Sequence, residues 1–446
     1  NLILADKDKN LQSFKEFVQE GVPAHKRKST GLQKVFEDNF PITDSRETAL
    51  LEFIEYTIEK PPYSIIECQE QGLTYSVPIK AKLRLSSKPT ASAKEVYLGN
   101  LPNMTSRGSF IINGAERVIV SQLHRSPGVV FSESTHANGT QLYSARVIPY
   151  KGSWVEFTTD INELLYAYVD RKKKFYFSTL LKALGINEKV QMLELFGLVE
   201  TVKINNNNYL DFVGRTTAEE IVNKETGDAL DINENVELTE ENLLDIAQAK
   251  LKEVKLIKSD LTDGEKVISF TIMKDDEEDE EYLEKEDSSA TLSKSKSQVM
   301  MEAEGESAKS YIEKLFFNPK KYDLGDVGRY KINYKLGLKI DSGITILTLE
   351  DIVAIISYIR DLIDNEKGVD DIDHLGNRRV RTVKEQLGQQ FGLGLSRMTR
   401  TIREKMSVHD EENFTPARLV SARPITSALA SFFGTSQLSQ FMDQKN

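Results

Sequence analysis

The spacing of apolar side chains changes several times along the chain, and each change predicts a different kind of element. From residue 1 to about residue 59 the spacing is typical of helices, with four apolar residues on one face: Leu11, Phe14, Phe17 and Val18. Between residues 63 and 120 it alternates with a period of two, which predicts strands. Asn113-Gly114 interrupts one such run and predicts a tight hairpin turn, because both residue types tolerate positive φ angles.

The middle of the chain mixes the two patterns. Alternation predicts strands over 141–148 and 154–169, and helical spacing returns around residues 180–198. A helix is expected over 239–253, with Thr239 as its N-cap and Glu241 nearby. The segment 275–297 is acidic and then rich in Ser and Lys, so we expect a mobile, solvated loop.

Beyond residue 348 helices are expected to dominate. Seven apolar residues recur at spacings of three and four and predict one long amphipathic helix: Val383, Leu387, Phe391, Leu395, Met398, Ile402 and Met406. Pro416 and Pro424 each suit the first turn of a later helix. The succession of helices and antiparallel strands predicts an α+β, multidomain fold.

Composition narrows the class of protein. The length of 446 residues suggests roughly three domains. Charged residues make up 28% and hydrophobic residues 39%, which is typical of folded globular chains. No apolar run approaches the roughly 18 residues that a membrane helix needs, and one cysteine with five histidines excludes a disulfide framework and a cysteine-based zinc site. With no secretory leader at residue 1, we expect a cytoplasmic protein.

The net charge of -11 at first disfavours binding to nucleic acid, but the charge is unevenly distributed. Residues 200–287 contain 26 acidic and 10 basic residues, a net charge of -16, which leaves +5 for the rest of the chain. Residues 374–409 alone carry a net charge of +6. Because binding depends on the local field, a basic nucleic-acid surface is compatible with the acidic total.

The chain has no phosphate-binding loop and no nucleophile elbow. The glycines of 391–396 lack the third glycine of a dinucleotide fingerprint, and they are expected to allow close packing of helices. Three aspartates could hold Mg²⁺: Asp370, Asp371 and Asp373. Nearby arginines favour ion pairing instead: Arg378, Arg379 and Arg381.

Three stretches carry more pointed chemistry. In 116–128 an apolar strand runs into Gln, His and Arg before a Pro-Gly turn, a common way to present polar side chains. Residues 370–381 offer Arg and Asn donors suited to phosphates and base edges, and 432–443 alternate hydroxyl, amide and aromatic side chains. On spacing alone, each stretch is also compatible with a strand edge, a salt-bridge cluster or a helix cap.

Taken together, residues 108–128, 369–379 and 432–443 closely resemble the N-terminal part of the beta subunit of bacterial DNA-directed RNA polymerase. Shorter matches occur in the family's order at 148–154, 327–331 and 422–425, whereas the acidic stretch around Asp275 has no match. The resemblance implies a fragment in which a protrusion domain is interrupted by an inserted lobe. The implied protrusion is 1–113 with 383–439, the lobe is 126–368, and the fork-adjacent elements are 114–125, 369–382 and 440–446.

The resemblance also implies roles for eight residues. Four match positions that line a pocket for the non-template DNA strand: Arg125, Trp154, Asp373 and Arg378. Their chemistry agrees, because Trp can stack on an unpaired base, Arg can fork onto guanine or phosphate, and Asp can accept from base amino groups. Four others match positions around the rifamycin pocket, beside the path of the RNA: Gln122, Gln440, Phe441 and Asp443.

The implied partners are DNA, nascent RNA, the beta-prime, alpha and omega subunits, and a sigma factor. In the family the catalytic Mg²⁺ is held by the beta-prime subunit, so no cofactor and no activity are expected in this chain alone. The family's docking motif for repair-coupling proteins is not evident before Val96, so we do not expect those proteins as partners. Two alternatives stay open: an acidic module that binds a basic partner or imitates DNA, and a freestanding nucleic-acid-binding protein.

Overall fold

The computed structural model describes residues 7–44, 49–87, 90–170, 173–205, 207–221, 230, 232–249, 251, 253–285, 310, 312–319, 321–408 and 415–442. The chain divides into two compact units. The first comprises Asn1–His124 and Arg379–Asn446, and the second is Arg125–Arg378. The second unit is therefore an insertion within the sequence of the first.

Helices occur throughout the described residues. They are α1 Lys7–Val18, α2 Gly31–Asn39, α3 Ile65–Glu70, α4 Phe177–Ala183, α5 Lys189–Leu195, α6 Glu240–Gln248, α7 Asp263–Lys285, α8 Gly325–Leu336, α9 Leu349–Ile363, α10 Val383–Val408, α11 Pro416–Leu419 and α12 Arg423–Thr435. Short 3-10 turns lie at Ala24–Lys26, Tyr209–Phe212 and Leu375–Asn377, and a π-helical turn at Glu313–Phe317.

The strands all pair in antiparallel fashion where their register is given. They are β1 Ile42–Thr43, β2 Ala49–Ile58, β3 Ser76–Ser87, β4 Thr90–Pro102, β5 Phe110–Ile112, β6 Ala115–Ile119, β7 Gln122–Arg125, β8 Gly128–Thr135, β9 Gln141–Ile148, β10 Val155–Thr159, β11 Leu165–Val169, β12 Lys173–Tyr176, β13 Val199–Val202, β14 Val254–Ile257, β15 Arg378–Arg381 and β16 Ser439–Phe441. Helices and antiparallel sheets together confirm the predicted α+β, multidomain class.

The first unit is built on a four-stranded sheet in the order β1–β2–β3–β4. Helices α1, α2, α10 and α12 contribute apolar side chains to one core with this sheet. On α1 the side chains of Phe14, Phe17 and Val18 are buried, as the helical spacing predicts. A second sheet, β16–β6–β5, pairs the last strand with the hairpin formed by β5 and β6.

The hairpin turn lies where the sequence predicts it. Ile112 pairs with Ala115, so Asn113 and Gly114 form a two-residue loop with φ angles of 50° and 81°. Positive φ at both positions matches the right-handed twist of the flanking strands. Gly114 is also required for space, since a Cβ there would lie 2.9 Å from the Cα of Gly72.

Helix α10 confirms the long amphipathic helix and the reason for its glycines. All seven apolar residues predicted to form its stripe are buried in the core of the first unit. At Gly394 a Cβ would lie only 2.6 Å from the Cα of Ile425 on α12. The glycine therefore lets the two helices approach closely, and Pro424 occupies the first turn of α12 as expected.

The second unit contains a five-stranded sheet in sequential order, from β8 to β12. Helices α4, α5, α7, α8 and α9 contribute to the core beside this sheet. Alternate residues of β10 and β11 are buried, which confirms the period of two in that region. A smaller core, formed by residues between 204 and 256, lies beside the two-stranded sheet of β13 and β14.

Several boundaries differ from the sequence predictions. The expectation of helix up to residue 59 is wrong, because Ala49–Ile58 is a strand. A register shift between Phe53 and Glu55 breaks the alternation there, so the apolar spacing imitates a helix. The run predicted as strand after residue 63 contains helix α3, which a capping box of Ser64 and Glu67 begins. Helix α6 ends five residues before the predicted end, and Asn242 rather than Glu241 completes the capping box at Thr239.

The prediction of a mobile acidic loop is wrong for its first part. Helix α7 continues to Lys285, and the side chain of Asp275 is 1% exposed. Asp275 accepts hydrogen bonds from the hydroxyls of Ser178 and Thr179, at 2.7 and 3.1 Å, and lies 3.2 Å from Lys182 Nζ. These partners on α4 compensate the buried charge, so Asp275 holds α7 against α4. Residues 286–297 lie outside the described residues.

Candidate nucleic-acid interface

Helix α8 contacts and holds the segment 370–378, which carries part of the candidate interface in the second unit. Arg329 on this helix is 0% exposed, and its Nη1 and Nη2 donate to the two carboxylate oxygens of Asp351, at 2.6 and 2.9 Å. Its Nε donates to the carbonyl oxygen of Ile344 at 2.7 Å. Asp351 also completes the capping box with Thr348 at the start of α9. This fully paired arginine ties α8 firmly to the beginning of α9.

The segment that follows α9, residues 370–378, is exposed over most of its length but is fastened at its start. Asp370 forms two backbone-directed bonds with Phe131 on β8, one through its own N–H (2.8 Å) and one through Oδ2 (2.9 Å). Lys335 on α8 donates to Asp370 Oδ1 at 2.6 Å. Burial alone would lower the pKa of Lys335, but the bond to Asp370 and the nearby Tyr358 raise it, so the lysine is charged at neutral pH.

The far end of the same segment is fastened as well. Lys331, one turn before Lys335, donates from Nζ to the carbonyl oxygen of Gly376 at 3.0 Å. The amide of Ser126 donates to the carbonyl oxygen of Asn377 at 2.9 Å. Arg125 precedes Ser126 and Arg378 follows Asn377, so this bond brings the backbones of these two predicted site residues close together.

Asp373 lies in the exposed turn between the two fastened ends. Its N–H donates to Asp371 Oδ1 at 2.9 Å, and Asn377 Nδ2 donates to the carbonyl oxygen of Asp371 at 2.7 Å. The amide of Gly376 donates to His374 Nδ1 at 3.0 Å. These internal bonds give the turn a defined shape, and Asp373, like Arg378, is exposed.

Trp154 stands on another loop that contacts the same support. Residues 150–152 precede it, and Lys151 exchanges two backbone hydrogen bonds with Asp323, at 2.9 and 2.8 Å, just before α8. The N–H of Trp154 donates to Asp170 Oδ1 at 2.8 Å, which fixes the start of β10. Trp154 is half-buried, so part of its surface remains accessible to solvent. The four pocket residues predicted from the sequence thus all depend on elements that contact α8 or β8.

The aspartates of this segment pair differently from the prediction. Asp370 pairs with Lys335 and not with the arginines that follow it. Arg379 forms a bidentate pair with Glu385 instead, and Arg381 lies 3.6 Å from the same carboxylate. The prediction paired residues that are close in sequence. In the structure the segment folds back onto α8, so Asp370 reaches Lys335 instead. Among the residues that the structure describes, no three His, Cys, Asp or Glu side chains are grouped so that they could hold a metal ion.

Three residues predicted for the RNA path lie in the first unit. Gln440 and Phe441 belong to β16, which pairs with β6 through Val118 and Arg117. Gln122 begins β7, three residues after the end of β6, and its Oε1 accepts from Arg381 Nη1 at 3.3 Å. The amide of residue 120 donates to the carbonyl of residue 438 at 2.9 Å, which brings this end of β6 next to β16. Asp443 lies outside the described residues.

Phe441 is 43% exposed and is held by an arginine that sequence reasoning missed. The guanidinium of Arg117 lies 4.2 Å from the centre of the Phe441 ring. It also donates to the carbonyl oxygens of Phe433 and Ser439, at 3.1 and 3.3 Å. Alternation along β6 could have indicated this role, since Arg117 and Val118 point to opposite faces of the strand.

Two further features of the first unit, a cavity and a cysteine, lie away from the predicted site residues. A cavity in the first unit is lined by residues that include Pro62, Cys68, Leu73 and Asn100, and none of the predicted site residues lines it. Burial raises the pKa of the Cys68 thiol, so this thiol is a poor nucleophile at neutral pH. No helix among the described residues is long and apolar enough to cross a membrane.

Comparison with known proteins identifies the family. The model of the RNA polymerase beta subunit family matches residues 7–427. The chain belongs to the RNA polymerase beta subunit family. The match includes the inserted unit, α8, the 370–378 segment and α10, whereas β16, with Gln440 and Phe441, lies beyond it.

Individual beta subunits agree with this assignment. The chain is 48% identical over 462 residues to the DNA-directed RNA polymerase subunit beta of Phocaeicola vulgatus, covering 98% of this chain and 36% of the relative. The beta subunit of Porphyromonas gingivalis gives the same values, and that of Cytophaga hutchinsonii is 47% identical over 460 residues, with 98% and 35% coverage. The chain therefore spans little more than a third of the length of the curated relatives it matches.

The two lysines on α8 are the main residues of this candidate interface that the sequence prediction omitted. Lys331 lies inside the matched motif at 327–331, but a motif does not reveal which residue its side chain contacts. Lys335 and Asp370 are 35 residues apart and meet only because α9 returns the chain past α8. Their contacts decide where the segment 370–378 lies.

Proposed function

We propose that this chain is part of the beta subunit of a bacterial DNA-directed RNA polymerase and forms one jaw of its DNA cleft. The whole enzyme would transfer nucleotidyl groups from nucleoside triphosphates to the 3′ end of an RNA on a DNA template. This chain would position nucleic acid and carry out no catalysis by itself. Its proposed partners are DNA, nascent RNA, the beta-prime, alpha and omega subunits, and a sigma factor, with the catalytic Mg²⁺ held by beta-prime.

In this proposal the second unit contains the lobe, 126–368, together with the fork-adjacent residues 369–378, and the first unit contains the protrusion and most of the other fork-adjacent residues. The family match over residues 7–427 supports the assignment of the chain as a whole. The division of the chain into a discontinuous unit and an inserted unit is compatible with a protrusion interrupted by a lobe. A cytoplasmic location follows from a role in bacterial transcription.

The non-template strand would be bound by the second unit, at Arg125, Trp154, Asp373 and Arg378. The observation that carries this proposal is the hydrogen bond from Ser126 to Asn377, because it places two arginines beside each other at the edge of an exposed turn. Each guanidinium can donate two parallel hydrogen bonds to a guanine edge or to a phosphate. Asp373 adds an acceptor, and the half-buried Trp154 offers a stacking face on a rigid loop.

The RNA path would be formed in the first unit by Gln122, Gln440 and Phe441, with Asp443. The pairing of β16 with β6 supports this, since it places Gln440 and Phe441 beside the strand that leads to Gln122. Arg117 fixes the ring of Phe441 and shields one of its faces. These side chains would shape the channel wall beside the growing RNA.

The test uses the assembled polymerase with alanine at Arg125 or Arg378 in the beta subunit. If each arginine makes a bidentate contact, each change should weaken the open complex by roughly 1–3 kcal/mol, which is about 5-fold to 150-fold in stability. The measurement is the lifetime of open complexes after challenge with a competitor.

Arg84→Ala is the matched control, because Arg84 is an exposed arginine on β3 whose partner, Glu52, also lies on the first unit's sheet. Its replacement should leave the lifetime unchanged. Equal lifetimes for the Arg125 and Arg378 variants and the wild-type enzyme would refute the strand pocket, whereas loss in the control as well would indicate a general defect.

A further inference from the structure

The segment 370–378 is held to α8 by two lysines that are separated by one helical turn. Lys331 and Lys335 lie on the same face of α8, as residues four apart do in an α-helix. Lys335 contacts Asp370 at the start of the segment, at 2.6 Å, and Lys331 contacts Gly376 near its end, at 3.0 Å. The segment therefore spans between two fixed points on one rigid helix.

Lys331 is enclosed by its surroundings more than an ordinary surface lysine. It is half-buried, and a Cβ at Gly128 would lie 3.2 Å from the Cβ of Lys331. A Cβ at Gly328 would lie 3.0 Å from the Cβ of Pro127, so two glycines allow α8 to approach the 126–128 turn. Burial lowers the pKa of Lys331, although Asp370 partly opposes this effect. The bond to the Gly376 carbonyl oxygen offsets part of the desolvation of this half-buried ammonium group.

The helix that carries both lysines has little freedom to move. Arg329 anchors it to α9 through buried bonds to Asp351, and the backbone bonds between Lys151 and Asp323 fix the chain just before it. The turn from 371 to 377 is exposed, and its remaining bonds to the unit run through Asp370 and Asn377 at its two ends. Loss of the Lys331 bond would therefore release Gly376, while the bond from Ser126 to Asn377 and the pairing of β15 with β7 still hold the backbone on either side of Arg378.

We propose that Lys331 is a positioning residue for the non-template-strand pocket, which acts by holding the Gly376 end of the segment so that Arg378 and Asp373 face the strand. This inference rests on the proposed function, because it assigns a role to Lys331 through that same pocket. Lys331 would not touch the DNA. It would fix the direction of a guanidinium two residues beyond its acceptor.

The test is a double-mutant cycle in the assembled polymerase, with Lys331→Met and Arg378→Ala singly and together. Met keeps the length and the packing of the lysine stem while it removes the donor. Lys331→Met should shorten the open-complex lifetime roughly 5-fold, the loss expected for one charge-assisted bond that acts indirectly. If Lys331 acts through Arg378, the double variant should lose little more than Arg378→Ala alone.

Three controls separate this inference from other causes. Lys331→Arg retains a donor and should recover most of the lifetime. Lys339→Met removes an exposed lysine shortly after the same helix and should have no effect. Hydrogen exchange of peptides covering 371–378 should increase in Lys331→Met, while exchange of α8 and α9 stays unchanged, because a local release does not unfold the unit.

The outcomes are distinguishable from those of the proposed function itself. If Arg378→Ala shortens the lifetime and Lys331→Met does not, the inference about Lys331 is wrong and the pocket stands. If the two losses are fully additive, Lys331 acts elsewhere and the inference is also overturned. If Arg378→Ala itself has no effect, the pocket proposal fails, and exchange in 371–378 still reports whether Lys331 holds the segment.

Discussion

The buried ion pair between Arg329 and Asp351 allows a prediction about the stability of α8 and α9 in the second unit. We consider the replacement Arg329→Met, which removes the guanidinium but keeps a long apolar side chain. In the native protein both side chains are 0% exposed, and the arginine is bonded to both carboxylate oxygens of Asp351. The change leaves a carboxylate buried without its counter-ion and leaves the Ile344 carbonyl without its Nε donor.

The expected cost follows from this geometry. Removing one partner of a fully buried, hydrogen-bonded ion pair destabilises proteins by about 3–5 kcal/mol, since the remaining charge cannot be hydrated. The double variant Arg329→Met with Asp351→Leu has no uncompensated charge, so it should be more stable than Arg329→Met alone by at least about 1 kcal/mol. It should not recover fully, because Asp351 also caps α9 and a lost cap costs about 1 kcal/mol.

Urea unfolding of the chain, combined with hydrogen exchange of peptides from α8 and α9, measures this effect in the second unit. Arg400→Met is the control, because its partner Glu404 and Arg400 itself are both exposed, and it should change stability by no more than about 0.5 kcal/mol. A loss below about 1 kcal/mol for Arg329→Met, or a double variant less stable than the single one, would contradict the reasoning.

Two further changes test the packing of each unit. Gly394→Leu should destabilise the first unit by roughly 1–3 kcal/mol, because a Cβ at this position meets the backbone of Ile425. Gly388→Ala should be neutral or stabilising, since the nearest contacts of a Cβ there start at 3.6 Å. Equal stabilities of the two variants in thermal unfolding would contradict this. Asp275→Asn should destabilise the second unit by about 1.5–3 kcal/mol through its lost charge-assisted bonds to α4, and unchanged hydrogen exchange in α7 would show that the acidic helix is not held there.

Elements with strong, uninterrupted periods could be predicted from the sequence. The stripe on α10 and the turn at Asn113-Gly114 are local features, so spacing and residue type were sufficient to find them. The strand at Ala49–Ile58 was missed because a bulge shifts its alternation, and a helical spacing resulted. The acidic helix was missed because composition suggested solvation, whereas Asp275 is compensated by residues almost a hundred positions earlier.

For the candidate interface as well, local features could be predicted from the sequence and long-range contacts could not. Residue types and motif positions were enough to select Arg125, Trp154, Asp373 and Arg378, but not to show what holds them. The supports are long-range: Lys335 reaches Asp370, and Ser126 reaches Asn377, a contact between residues about 250 positions apart. A single sequence carries no signal for such pairs, so α8 emerged as the common support only from the structure.

The most direct test of the central claim is a crosslink from Trp154 in the open complex. A photoreactive phenylalanine derivative replaces Trp154 in the beta subunit of the assembled polymerase, and each DNA strand carries a separate label. We expect crosslinks to unpaired bases of the non-template strand, and none from the same derivative at Tyr97, an exposed aromatic residue of the first unit. Crosslinks to the template strand alone, or none at Trp154 in complexes that form normally, would contradict this claim.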